Sequence, residues 1–194
     1  MLRKSVVLFP LMVAATLATA PTSAFADEPS PQLKTEAAGL VKEYAGNLQA
    51  VLKGAMAAGG PANAISVCHE QAPEIAADIS QRSGWTVKRT SLKPRNPASA
   101  PDSYETKVMK EFQARIAKGE SAADLVKAEI VEQNGAKVFR FIKAIPTGEV
   151  CLNCHGTEVK PELKAKLQEL YPGDKATGFK LGDMRGVFTL SKRL

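Results

Sequence analysis

From Leu33 onward the apolar positions Leu33, Ala37, Leu40, Val41, Tyr44, Leu48, Val51, Leu52 and Ala55 recur at steps of three and four. That spacing lays one apolar stripe along a helix and predicts an amphipathic helix over 33–57, after a flexible leader over 27–32 that carries two prolines. Gly59-Gly60-Pro61 breaks it. A second helix follows over 62–81, with Ile65, Cys68, Ala72, Ile75, Ala76 and Ile79 on its apolar side. Pro73 lies inside that helix and deprives the His69 carbonyl of its usual N–H partner, so a kink or a break is expected there.

The period then changes to two. Trp85 to Ser91 alternates and is rich in β-formers, which predicts a strand. Residues 92–101 hold three prolines and read as an ordered loop. Asp102 or Ser103 caps a helix running through Tyr104, Val108, Phe112 and Ile116 and ended by Gly119, with a short helical turn over 122–127. Asn134-Gly135 between two apolar runs predicts a β-hairpin of 129–132 with 136–145. In its second strand Val138, Arg140 and Ile142 share one face and Phe139, Phe141 and Lys143 the other. A short helix over 161–170 with proline first, a glycine-rich loop over 171–183 and a strand over 186–191 complete the chain. Helices first, then a hairpin and a last strand, predict an α+β fold with an antiparallel sheet.

The first residues change the setting. Arg3 and Lys4 precede an apolar run interrupted by Pro10, and Ala24-Phe25-Ala26 precedes a polar stretch. This is the pattern of a signal peptide over 1–26, too short for a membrane anchor. The expectation is a single exported domain over 27–194, periplasmic or otherwise outside the cytoplasm and without a membrane span after processing. Loss of Arg3 and Lys4 takes the net charge from +6 to +4 over the remaining 168 residues. That charge is small and well mixed with Asp and Glu, which argues against nucleic acid as a partner.

Three cysteines exclude a disulfide-stapled mini-protein, and the odd number asks for an explanation in an exported chain. Cys151-Leu152-Asn153-Cys154-His155 is a C-x-x-C-H motif, which in an exported protein reads as the attachment site of one covalent haem c. Two thiols three positions apart reach the two vinyl groups on one porphyrin edge, and the following histidine offers an imidazole nitrogen to the iron. A redox dithiol would need a thioredoxin-like βαβ context, and a zinc site would recruit Cys68 beside Cys151, Cys154 and a histidine. Cys68 is left over. It is an inert core cysteine, an interchain disulfide partner, or the second axial ligand, for which His69, Met184 and Met109 compete.

Several stretches resemble a family of exported single-haem c-type cytochromes. They are Ala64-Ile65-Ser66-Val67-Cys68 with Ala72-Pro73-Glu74-Ile75-Ala76, Arg89-Thr90-Ser91-Leu92-Lys93-Pro94-Arg95-Asn96-Pro97 with Ala100-Pro101-Asp102, the C-x-x-C-H motif, and Gly178-Phe179-x-x-Gly182-Asp183-x-Arg185-Gly186. The resemblance implies a PAS-like α+β fold, a His/Cys axial pair made of His155 and Cys68, and a redox or sensory role.

Arg89, Lys93 and Arg95 share a segment that could turn toward the haem propionates, where a guanidinium makes a bidentate contact; Arg140 and Arg185 are weaker candidates of the same kind. The main functional expectation is one-electron transfer with a redox partner protein. The alternative is a haem-based redox or NO/CO sensor that signals through a separate sensory partner, since the chain carries no output segment of its own. The long first helix is either a docking face for that partner, or for a second copy in a homodimer, or simply core-facing. An enzymatic role is not expected, because it would need acid–base groups and His69 is the sole histidine left over.

Overall fold

The computed structural model describes residues 28–194; the predicted signal peptide falls outside the described residues. The first element, α1 (Pro31–Ser83), is a helical hairpin rather than a rod. Gly59 and Gly60 leave helical backbone angles, and Gly60 takes a φ of 68° that favours glycine. The Asn63 side chain donates to the carbonyl of Ala55 at 2.9 Å, capping the end of the first arm. The arms then run back along each other, with Arg82 and Glu43 bridging them at 2.7 Å. The helix begins at Pro31, two residues before the predicted stripe, because Ser30 accepts from the Leu33 amide as its N-cap.

Of the kink or break expected at Pro73, the break does not occur: the backbone there stays helical, the arm continues to Ser83, and Pro73 lies on its exposed side.

The remaining elements are β1 (Thr86–Thr90), α2 (Ser103–Ile116), β2 (Val126–Gln133), β3 (Ala136–Pro146), α3 (Leu152–His155), α4 (Pro161–Leu170) and β4 (Met184–Arg193). The four strands form one antiparallel sheet in the order β1-β4-β3-β2. The β2–β3 hairpin turns on Asn134 and Gly135, both at positive φ, as the Asn-Gly pair requires.

Both faces of the sheet are covered, which alternation alone did not reveal. Phe139, Phe141, Phe188, Leu190 and Val87 pack on Ala37, Val41, Tyr44 and Ile79 of α1. Ile142, Ala144 and Val187 pack on Val108, Met109 and Phe112 of α2. The α2 face also buries charge: the fully buried Glu105 meets Arg140 at 3.2 Å, Lys88 at 3.1 Å and the Thr189 hydroxyl at 2.9 Å. Helices thus flank the sheet on two sides, not only through the N-terminal pair. Among the described residues no helix is long and apolar enough to cross a membrane.

Candidate functional site

The C-x-x-C-H motif folds into a 3-10 turn (Glu149–Cys151) that runs directly into α3, a single helical turn ending at His155. One turn places Cys151 and Cys154 near each other and sends His155 onward. Gly156 closes it: its amide donates to the Leu152 carbonyl at 3.0 Å, and a Cβ there would sit 2.6 Å from that same oxygen. Any side chain at this exit would force the backbone of the turn to shift.

The segment following α4 clamps the motif from outside. The amides of Gly178 and Phe179 donate to the carbonyls of Gly156 and His155 at 2.8 and 2.9 Å. Arg95 binds this loop to the motif. Its Nε meets Asp174 at 3.0 Å, and its Nη2 reaches the carbonyls of Cys154 at 2.6 Å and Ala176 at 3.3 Å. Lys93 donates to the Thr177 carbonyl and lies over the Phe179 ring.

Within this clamp His155 Nδ1 lies 2.7 Å from the Ala176 carbonyl and 3.1 Å from Arg185 Nε, with the Phe179 ring edge-on. Burial, and then the charges of Arg185, Arg95 and Arg89, push the His155 pKa down to about 2, so the imidazole is neutral. A neutral ring whose Nδ1–H donates to a carbonyl presents an unshared pair at Nε2, the form that ligates a metal. Arg185 is itself pushed down to about 10 by burial and by Arg95 and Arg89.

Cys68 comes to the same place from the second arm of α1. Ile65, one turn before it, is buried with Val159, Leu163 and Leu167, and Cys154 packs on that cluster. Burial pushes the Cys68 thiol up, against the pull of Arg89. Cys154 is pushed up by burial, opposed by Arg95 and reinforced by Cys68 and Cys151, so the three sulfurs feel one another. None is in a disulfide.

The other ligand candidates have contacts of their own. Met184 is buried in one cluster with Met109 and Phe112 of α2. His69 turns edge-on to Tyr171 at 4.8 Å, and its buried Nδ1 has no partner. Arg140 is bound to Asp102 and Glu105 on the α2 face, away from the motif. Arg89 is exposed on β1 over the Tyr44 ring at 5.7 Å, yet its charge reaches Cys68 and His155. A cleft of about 430 Å³ beside the Gly59 hinge touches Leu152 and Asn153 but neither thiol of the motif.

Sequence reasoning missed Asp174, Ala176 and Phe179 as parts of the site. The one available signal is Phe179, which lies in the stretch 178–186 that carries the family resemblance. The donor set fits a c-type haem: two thiols on one turn, a neutral imidazole that offers Nε2 when its Nδ1–H donates to Ala176, and a third sulfur on the facing helix. The antiparallel sheet offers no thioredoxin-like βαβ unit, the context a redox dithiol would need.

A helical hairpin and α2 sandwiching a four-stranded antiparallel sheet, with a clamped C-x-x-C-H turn at its end, define the class: the chain belongs to the Tll0287-like family, whose profile matches residues 13–192. It is similar in fold to a solved structure described as the cyanobacterial heme-protein Tll0287, at a TM-score of 0.63 and 23% identity, over 85% of this chain and 97% of that one. No curated protein matches the chain.

Proposed function

We propose that the chain is an exported, PAS-like c-type cytochrome carrying one haem attached through Cys151 and Cys154, with His155 and Cys68 as axial ligands, acting in one-electron transfer to a partner protein. The observation that carries this reading is the neutral His155 held by the Ala176 carbonyl at 2.7 Å at the end of a two-thiol turn. The description of the related solved structure as a heme-protein supports it. The haem supplies the electron-accepting iron; the chain's own work is to hold and orient it. Cys151 and Cys154 anchor one edge, His155 is aimed by Ala176 and Phe179, and Cys68 approaches on α1. A thiolate ligand stabilises ferric iron and should give a low reduction potential.

The test is expression with a c-type maturation system, followed by haem staining of the denatured protein and by absorbance and EPR spectra in both oxidation states, with and without CO or NO. Expected are haem that survives denaturation, thiolate signals in the ferric state, and loss of those signals in Cys68→Ala with a rise in potential. An unstained denatured protein defeats the haem c assignment, and an unchanged Cys68→Ala spectrum defeats the Cys68 ligation. Gas binding to the ferrous protein with a large change of ligation would favour sensing over electron transfer.

A further inference from the structure

Arg185 stands outside the ladder that surrounds it. Strands β3 and β4 pair Ala144 with Val187, Ile145 with Gly186 and Pro146 with Met184, so Arg185 is skipped and forms a bulge. A bulge gives one strand an extra residue and re-aims its side chain. Here Met184 keeps its place in the core beside α2, while the Arg185 guanidinium turns to His155. It is held there from two sides. Its carbonyl accepts from the Ser91 hydroxyl at 2.8 Å, and its guanidinium lies over the Phe179 ring at 5.2 Å. Among the described residues it has no ion-pair partner.

His155 Nδ1 therefore faces two groups of opposite demand. The Ala176 carbonyl at 2.7 Å can only accept, and Arg185 Nε–H at 3.1 Å can only donate. The Nδ1–H tautomer satisfies the carbonyl and leaves a lone pair on Nε2. The Nε2–H tautomer satisfies the arginine and leaves none. A metal on Nε2 requires the first, and the cation then faces an N–H. A carbonyl accepting from Nδ1–H makes a ligand histidine more basic; a cation at the same atom works against that. Arg95 adds to the effect by donating to the same Ala176 oxygen at 3.3 Å.

We propose that Arg185 is a positioning residue that limits the electron donation of His155 as an axial ligand, and so raises the reduction potential above the value the Ala176 hydrogen bond would set alone. This rests on the c-type haem reading above. Its test compares the purified haem-loaded wild type with Arg185→Gln and Arg185→Lys, by redox titration and by the proton resonance of His155 Nδ1–H in the ferrous protein. Arg185→Gln should lower the potential and move that resonance downfield, as the hydrogen bond to Ala176 strengthens. Arg185→Lys should fall between, keeping the charge but losing the fixed Nε–H. An Arg185→Gln protein with the wild-type potential and resonance overturns the proposal. If that variant does not fold, Arg185→Lys decides through its resonance: a downfield move supports the proposal, and an unmoved signal overturns it. Failure of the haem reading itself shows separately, as a wild-type protein that does not stain for covalent haem.

Discussion

Arg95 Nη2 donates to the carbonyl oxygen of Cys154 at 2.6 Å, so a guanidinium from the loop before α2 carries the backbone of the thiol-bearing turn. The sequence aims this arginine at haem propionates. In the fold its Nε and Nη2 go to Asp174, Cys154 and Ala176, and what it does is brace the site. Arg95 and Asp174 are only 13% and 10% exposed, so removing one strands the other. Arg95→Met should cost about 3–5 kcal/mol in urea unfolding. A double-mutant cycle with Asp174→Asn should show clear coupling; additive losses would mean that the pair is not the brace.

Gly186 admits no side chain. A Cβ there would meet the Thr90 carbonyl oxygen at 2.4 Å, backbone against backbone across the β1–β4 pairing. Gly186→Ala should therefore destabilise by about 1–3 kcal/mol, measured by thermal unfolding. Its structure should show β1 pushed away from the Arg185 bulge. A variant of wild-type stability would mean that the two strands part freely.

Acid should loosen α2 before the rest. Asp102 is its N-cap, with the Glu105 amide donating at 2.7 Å and Arg140 at 3.0 Å. Burial pushes the Asp102 carboxyl up, but those donors outweigh it and hold the group below its usual value. The folded pKa thus lies below the unfolded one, near ~3.9. The stabilisation is complete above that value and disappears as pH falls through the depressed folded pKa. Asp102→Asn retains a capping side chain but not the charge. It should lower stability at neutral pH and flatten the loss below pH ~4; acid titrations followed by circular dichroism would show the two curves converging.

Met184 packs with Met109 in the core on α2. Met184→Leu, a swap of similar volume, should cost less than about 1.5 kcal/mol and leave the haem absorbance and EPR spectra unaltered. A changed ferric spectrum would return Met184 to the list of axial candidates.

Local chemistry was readable wherever a residue type carries its own geometry. Asn134-Gly135 announced the hairpin, Gly59-Gly60 the turn between helices, and Pro161 the start of α4. Cys151, Cys154 and His155, the residues of the proposed haem attachment, lie within five positions of one another. The rest depended on contacts that the chain order hides. Pro73 removes one N–H and crowds the carbonyl four residues back, but whether the helix then ends depends on the packing of the whole arm, which the local sequence hides. Arg95 was seen as a charge, but its partners lie 59 to 81 residues away. Arg185 reads in the sequence only as a weaker candidate for a propionate contact; its direction comes from a register skip that exists only when β3 is alongside.

The hairpin hinge at Gly60 also divides the site by assembly. Cys151, Cys154 and His155 are neighbours in the chain, and bonds formed by the two thiols would persist in an unfolded molecule. Cys68 reaches them only while the second arm of α1 is docked on α4. Under the proposed ligation the sulfur bond is a tertiary contact of long sequence separation, and it should vanish early when that arm opens. The colour of the protein would then be a built-in gauge of folding: a haem still attached but stripped of its thiolate marks a chain whose helical arm has swung away while its cofactor stays behind.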